Sequence, residues 1–459
     1  MSTHFRDYAP DQPFLLPASP QDWLPEDHLA YLVRELVSEL ELSEIFLSYQ
    51  KERRGAPAFD PRMMVALLIY SWASDVYSTR QIERLSLVDL GARYLCAGSQ
   101  PDFRTINNFR FRHGKALGGM FEQSIKLCQG AGMVSLGHVA IDGTKLAANA
   151  SKRKAMSYAR MVEAEEKLRA EIQEYLRKAQ EIDEQEDSLF GKDNAGPNIP
   201  EELKRRETRI AKIREAKAAL EAEQKAAQEA KEAERKAKQD ETGRPPRGPK
   251  PDADRPPKPK AQRNFTDPDS RIMKAGTGNF VQGYNAQAAV DSDCQVIVAC
   301  ELTNQAADVV HFEPMLEQTA NNTGERPHHV SADAGYFSKE NATSSVCPGA
   351  ELFIPPDRMK HSSRGVTPAP ADGVAACDLS AADKMRRKLS TETGRAAYAW
   401  RKKTVEPVFG QIKGCAGSPG FRQIMRRGLV KAKEEWRWAC ATHNFLKYFG
   451  HHCASAGAP

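Results

Sequence analysis

The sequence lacks the features of a membrane-spanning or disulfide-stabilised protein. No apolar run in its 459 residues reaches the roughly 20 residues that a transmembrane helix needs. Residues 1–10 lack the basic start and apolar core of a secretory signal. The nine cysteines include no CxxC pair and are odd in number, which argues against a disulfide scaffold or a zinc ribbon. We therefore expect a cytoplasmic protein with reduced thiols and no membrane partner.

Charge is spread unevenly along the chain. The 66 Lys and Arg residues exceed the 61 Asp and Glu residues by only 5, a mildly basic balance that does not establish a nucleic-acid partner. Basic residues cluster around 104–115, 385–403 and 422–433, whereas acidic residues concentrate in 163–241. Because a polyanion binds local patches of charge, this distribution keeps DNA or RNA open as a partner.

Residues 1–130 have the apolar spacing of helices. Apolar side chains recur at helical intervals in 29–40 and 61–72, and Ser78 is a candidate N-cap for the next helix. A Gly/Ser turn then precedes a basic, amide-rich segment at 101–113. This order predicts an all-α, helix-turn-helix-like N-terminal domain.

The basic segment carries the side chains that DNA-binding helices use. Arginine can contact phosphates or guanine, and asparagine can contact adenine. A surface helix with ordinary salt bridges is the alternative interpretation. The candidate DNA contacts are Arg104, Asn107, Asn108, Arg110 and Arg112.

A long charged segment interrupts the rest of the chain. Apolar residues from Met161 to Ile182 step by three, four or seven, which is typical of a coiled coil. We expect a helical hairpin over 155–240, followed by a proline-rich, extended linker over 241–262. A solvated surface is the simplest role for this hairpin, and dimerisation or DNA contact stays open.

Residues 131–154 and 263–450 have an α/β pattern. A short apolar strand runs into Asp142, two β-rich segments within 280–302 predict a hairpin, and a further strand ends at Asp333. Five strands, the first three antiparallel, predict a ribonuclease-H-like catalytic core that the helical hairpin interrupts. The alternative for Asp142 and the glycine after it is an ordinary β-turn.

Three acidic residues could meet in that core. Strands one and four are neighbours in a ribonuclease-H-like sheet, so Asp142 and Asp333 would lie side by side, and Glu406 would come from a following helix. Converging carboxylates suit Mg²⁺ or Mn²⁺. Two such ions would support an in-line displacement at phosphorus by water or a 3′-hydroxyl. Without metal, repulsion between the like charges should raise at least one carboxylate pKa.

Eight short motifs follow one another along the chain. They are Phe59–Met64, Ser78–Glu83, Pro101–Arg110, Ala140–Ser151, Thr266–Arg271, Gln282–Gln287, Ser331–Tyr336 and Val405–Lys413. Their joint occurrence in this order resembles the DDE transposases of bacterial insertion sequences, in the branch with an InsH-like N-terminal helical domain. The resemblance covers nearly the whole chain.

The resemblance implies roles for individual residues. Three acidic residues match the catalytic and metal-binding triad of the family: Asp142, Asp333 and Glu406. A Tyr–Arg–Glu–Lys signature is matched by Tyr398, Arg401, Glu406 and Lys413. The Arg-to-Glu spacing is one residue longer than in the commonest form, and Lys402 stands at the usual Arg position. The DNA contacts implied around the triad are Tyr398, Arg401, Lys402 and Lys413.

The resemblance also implies a function. The protein would bind the terminal repeats of its own insertion sequence and, with two Mg²⁺ or Mn²⁺ ions, cleave DNA and transfer the strands. Its partners would be double-stranded DNA and a second copy in a homodimer, in the cytoplasm and on the nucleoid. Two alternatives stay open: a ribonuclease-H-like nuclease that cuts without joining, and a catalytically silent DNA-binding regulator.

Overall fold

The structure is a computed structural model with a mixed α/β architecture. It describes residues 22–49, 57–190, 201–244, 248–275, 278–357, 379–414 and 420–456. Within these ranges no helix is long and apolar enough to cross a membrane.

The N-terminal part is helical, as predicted. Helices α1 to α7 span Leu29–Glu39, Ser43–Tyr49, Pro61–Ala73, Thr79–Val88, Leu90–Leu95, Phe103–Arg112 and Gly114–Gly130. Asp102 caps α6 by accepting a hydrogen bond from the backbone N–H of Thr105 at 2.6 Å. Ser78 occupies the N-cap position of α4, but its side chain makes no capping hydrogen bond.

A mixed six-stranded sheet forms the centre of the α/β part. Strands β1 to β8 span His138–Ala147, Ala155–Ser157, Gln262–Asn264, Arg271–Lys274, Phe280–Asp291, Ile297–Thr303, His329–Ala332 and Glu351–Phe353. β1 pairs antiparallel with β5 on one side and parallel with β7 on the other. β6 pairs antiparallel with β5, and β8 pairs parallel with β7. The main sheet therefore contains the order β6-β5-β1-β7-β8, with β4 added beside β5.

The first strand differs from the prediction. It does not end at Asp142 but continues to Ala147, and Gly143 pairs with Gln287 in extended backbone. Both the strand end and the alternative β-turn at this position were therefore wrong. The physical reason is the length of β5, which supplies a partner for each residue of β1 from Val139 onward. β4 and the small β2–β3 sheet were not predicted either.

The charged insertion forms two long helices. Helix α8 spans Tyr158–Phe190 and α9 spans Glu201–Thr242. Tyr158 donates a hydrogen bond to Glu221, Glu165 pairs with Arg214, and Glu171 pairs with Arg206. Because the partner numbers fall as the α8 numbers rise, the two helices are antiparallel. We call this helical pair the arm.

The N-terminal helices and one face of the sheet share a hydrophobic core. Helices α10 to α14 span Phe312–Thr323, Lys339–Ala342, Ala381–Ser390, Glu392–Lys413 and Leu429–Ala456. Within α14, Trp436 is fully buried and donates its indole N–H to the carbonyl of Gln287 on β5. Asn444 bonds both backbone groups of Ile297 on β6, at 2.8 and 2.9 Å. Helix α14 therefore joins the helical part to the sheet that carries the acidic residues.

The close pairing of β1 with β5 predicts that position 283 requires glycine. A Cβ on Gly283 would lie 2.1 Å from the carbonyl oxygen of Leu146, which is backbone and cannot turn aside. We expect Gly283→Ala to lower the free energy of unfolding by about 1–3 kcal/mol or more through overpacking, measured by urea denaturation. Gly119→Ala is the control, since a Cβ there meets nothing within 4 Å and α7 gains a better helix former. Equal stability of the two variants would contradict this prediction.

Candidate active site

The pairing of β1 with β7 places two aspartates next to each other. The parallel register sets Ile141 opposite Ala332, and the next residues along the chain are Asp142 and Asp333. Asp333 begins a short 3-10 turn by accepting a hydrogen bond from the N–H of Gly335 at 2.7 Å. Asp142 therefore lies within β1 and Asp333 directly after β7, at neighbouring positions across the two strands.

Helix α13 reaches this pair through an arginine. Arg401 is buried, and its Nη1 lies 2.7 Å from Asp142 Oδ2. Its Nη2 lies 3.5 Å from Glu406 Oε1. The Glu406 side chain is 54% exposed. Arg401 thus lies between the first and third predicted acids, and it neutralises charge that burial would otherwise make costly. Its guanidinium also lies over the Tyr398 ring, 5.7 Å from the ring centre.

The pKa of Asp142 reflects its burial and the charges around it. Burial raises the pKa of Asp142 from 3.8 to about 6; the charges of Asp333 and Asp308 act in the same direction, whereas Arg401 lowers it. The folded protein therefore holds this proton more tightly than the unfolded chain. The contribution of Asp142 to the free energy of unfolding therefore falls as the pH rises from 3.8 to about 6.

Asp308 is a fourth acid of this site, outside the triad that the sequence analysis assigned. Its Oδ1 accepts hydrogen bonds from Asn285 at 2.7 Å and from Gln287 at 2.9 Å. A Cβ on Gly335 would lie 2.9 Å from Asp333 Oδ1 and 3.4 Å from Asp308 Oδ2, so both carboxylates border one point. The amide residues belong to the motif Gln282–Gln287, whose alternating side chains on β5 were the available signal.

The donor set suits a hard divalent cation, but the triad is not gathered around one point. Among the residues that the structure describes, no three His, Cys, Asp or Glu side chains are grouped so that they could hold a metal ion. Carboxylate oxygens are the ligands that Mg²⁺ and Mn²⁺ prefer. The obstacle is Arg401, whose positive charge lies between Asp142 and Glu406.

Lys413 of the predicted signature and Lys402, at its usual Arg position, have different surroundings. Lys413 is half-buried; its ammonium donates to Thr144 Oγ1 and lies 3.5 Å from the carbonyl oxygen of Lys145. Burial lowers the pKa of Lys413. Lys402 is exposed. Lys413 therefore lies beside β1, within three residues of Asp142.

Helix α6 divides the predicted DNA contacts into exposed and buried residues. Arg104, Asn107 and Asn108 are exposed and line a cleft with Arg80 of α4. Arg112 is exposed too and donates to the carbonyl of Ser48.

Arg110 does not belong with them. Its guanidinium is buried, pairs with Glu435 of α14 at 3.0 Å and donates to the carbonyl of Tyr77. Including Arg110 among the surface contacts was wrong, because the helical period turns this position toward α14 and the core.

Two parts of the chain match known protein families. Residues 18–112 match the family model described as "Transposase domain (DUF772)", and residues 375–449 match the one described as "Transposase DDE domain". Both matches support the assignment of the chain as an insertion-sequence DDE transposase. No curated protein and no solved structure matches it.

The two matches cover different elements of the fold. The first contains helices α1 to α6, and the second contains Tyr398, Arg401, Glu406 and Lys413 on α13. DDE transposases are metal-dependent enzymes that cleave DNA and transfer its strands, so the chain is an enzyme of this class. The chain therefore combines an N-terminal match to a transposase domain with a match to a DDE domain towards its other end.

The buried ion pair predicts a stability effect at Arg110. Arg110→Ala should lower the free energy of unfolding by about 3–5 kcal/mol, because it leaves the charge of Glu435 buried without its partner. Urea denaturation measures this loss. The double variant Arg110→Met/Glu435→Gln should recover part of it, since neither charge then remains in the core. A stability loss as small as that of the exposed Arg104→Ala would show that the pair contributes nothing.

The contact between Arg401 and Asp142 predicts a pKa change. Arg401→Gln should raise the pKa of Asp142 above about 6, because the cation that favours the ionised carboxylate is gone. Carbon NMR of the metal-free protein across a pH series follows the Asp142 carboxyl group directly. Lys402→Gln removes an equal but exposed charge next to it and should leave the pKa unchanged. An unchanged or lower pKa in Arg401→Gln would count against the contact.

Proposed function

We propose that this transposase binds the terminal repeats of its own insertion sequence, cleaves DNA strands there and joins them to target DNA. The observation that carries the proposal is the β1–β7 register, which sets Asp142 and Asp333 side by side. We assign catalysis to these two residues together with Glu406. Glu406 lies within the matched DDE domain, on the helix that contacts Asp142 through Arg401.

We further propose that the sheet is a ribonuclease-H-like core interrupted by a coiled-coil insertion. The strand order β6-β5-β1-β7-β8 supports this, because three antiparallel strands are followed by two strands parallel to the central one. The arm enters the chain between β2 and β3. It therefore interrupts the sequence of the core without interrupting the main sheet.

The acids are proposed to hold two Mg²⁺ or Mn²⁺ ions. Such ions, when bound, lower the energy of an in-line displacement at phosphorus by water or a 3′-hydroxyl. Asp142 and Asp333 would hold them where β1 and β7 lie side by side. Glu406 is half-exposed and would turn inward from α13. Arg401 would then contact a DNA phosphate in place of the carboxylates, since its guanidinium suits a bidentate phosphate contact.

DNA contacts are proposed on two surfaces. Exposed residues of α6 would contact the terminal repeats: Arg104, Asn107, Asn108 and Arg112. Residues of α13 would contact DNA close to the cleaved phosphate: Tyr398, Arg401, Lys402 and Lys413. We also propose that two copies form a homodimer on DNA, on the nucleoid in the cytoplasm, and that the chain represents the InsH-like branch with its Tyr–Arg–Glu–Lys signature.

The triad assignment predicts a separation of cleavage from binding. Asp142→Asn, Asp333→Asn and Glu406→Gln should each abolish cleavage of a DNA fragment carrying the ends of the element, because each removes a carboxylate that would hold metal. Binding of the same fragment should persist. Cleavage is scored on labelled DNA with Mg²⁺, with Mn²⁺ and with a chelator, and binding by fluorescence anisotropy.

The matched control is Glu392→Gln. Glu392 is an exposed carboxylate in the first turn of the same helix α13, far along it from Glu406. This variant should cleave like the unmodified protein. Cleavage by any of the three triad variants would remove that residue from the triad, and cleavage in the chelator would remove the metal from the proposal.

A further inference from the structure

A basic cleft opens where the arm leaves the sheet. It measures about 290 Å³ and lies between the short turn before β2 and the side of α9. Its apolar lining consists of Ala155, Met156, Ile213 and Phe265. Its cations are Arg153, Lys154, Arg209 and Lys212, all four of them exposed.

The four cations have no acidic partner among the residues that the structure describes. Two acids of the arm pair with cations outside the cleft. Glu165 pairs with Arg214 and Lys217, and Glu223 pairs with Arg263 and Arg271. Four exposed positive charges around one cleft repel one another, which is a cost that a bound polyanion would offset.

The cleft is attached firmly to the sheet. Arg271, the first residue of β4, donates hydrogen bonds to both carboxylate oxygens of Glu223 on α9, at 2.9 and 2.8 Å. Asn264 of β3 donates to the carbonyl of Ser151, and the N–H of Phe265 donates to the carbonyl of Lys154. The arm therefore keeps a defined position relative to β1 at this end, and the cleft keeps its position relative to the acids.

A row of cations connects the acidic site to the cleft. Lys413 lies beside Thr144, two residues past Asp142 on β1. The exposed Arg422 donates to the carbonyl of Lys413, and its own carbonyl accepts from the N–H of Ala147 at the end of β1. The exposed Arg427 then donates to the carbonyl of Asn149. Along the chain, Asn149 is followed by Lys152 and then by Arg153 and Lys154 of the cleft.

We propose that this basic cleft at the root of the arm binds the phosphate backbone of the DNA duplex whose cleaved phosphate lies at Asp142. The inference rests on the proposed function and adds a contact surface to it. A duplex is the occupant that fits, because the cations form a row and not a single pocket, and they lie beside a site proposed to act on DNA.

The distance along β1 indicates which phosphates are involved. Five residues separate Asp142 from Ala147, a length of about 17 Å in a strand. That corresponds to about five base pairs of duplex. The cleft therefore contacts DNA at least about five base pairs from the cut.

The test removes the two cleft charges on α9. Arg209→Gln/Lys212→Gln should weaken binding of a fragment carrying the ends of the element about tenfold or more. It should also reduce the slope of log affinity against log KCl by about 1.8, since each phosphate contact contributes about 0.9. Fluorescence anisotropy over a KCl series measures both. Hydroxyl-radical footprinting should show lost protection about five or more base pairs from the cut.

Two controls separate charge from position. Lys225→Gln/Lys231→Gln removes two exposed cations of the same helix outside this cleft and should leave the salt slope unchanged. Arg209→Lys/Lys212→Arg keeps both charges and should retain the slope. Circular dichroism checks that each variant keeps its helices.

The outcomes distinguish this inference from the proposed function. If the unmodified protein binds and cleaves its ends while the cleft variant shows the slope and footprint of the Lys225/Lys231 control, the cleft is not a DNA contact and the proposed function stands. If the unmodified protein binds no DNA at low salt, both proposals fail. Under the proposal, the cleft variant at saturating protein still cleaves, because none of its changed residues belongs to the triad.

Discussion

The parallel pairing of β1 with β7 is the interaction on which the candidate active site depends. It sets the residues after Ile141 and Ala332 side by side, and both are aspartates. The cost of this arrangement appears in the raised pKa of Asp142, which burial and two neighbouring carboxylates produce. Arg401 reduces that cost by holding Asp142 from α13. One ion pair thus links β1 of the sheet to α13.

The remaining structure holds the sheet in place. Helix α14 packs on both the sheet and α7, with Trp436 bonded to the carbonyl of Gln287. The motif Thr266–Arg271 acts structurally: Asp267 accepts from the N–H of Gly428, and Asp269 accepts from the N–H of Leu429, where α14 begins. Two acidic residues of this motif thus position a helix, whereas Asp308, outside every motif, lies in the site.

The same helix can serve the core and the surface, and a sequence shows the difference only in part. On α6, Arg104 is exposed and Arg110 is buried, although both appear in one basic, amide-rich run. The helical period places them on different faces. It does not show that Arg110 pairs with Glu435, which lies more than 300 residues away in the chain. Burial of an arginine depends on such a partner, so this assignment required the tertiary structure.

The sequence by itself determined the local helices and strands and the residues that could carry out the chemistry. Helical periodicity placed α1, α3 and the two arm helices, β-rich runs placed β5 and β6, and the motifs indicated Asp142, Asp333 and Glu406. Only the tertiary structure decided where β1 ends, because the length of β5 and not the local Asp–Gly pair sets that end. It also decided that Arg401 lies between Asp142 and Glu406, that Asp308 joins the site, and that four cations meet at the root of the arm. The reason is that local patterns depend on near neighbours in the chain, whereas charge pairing and strand length depend on residues brought together by folding.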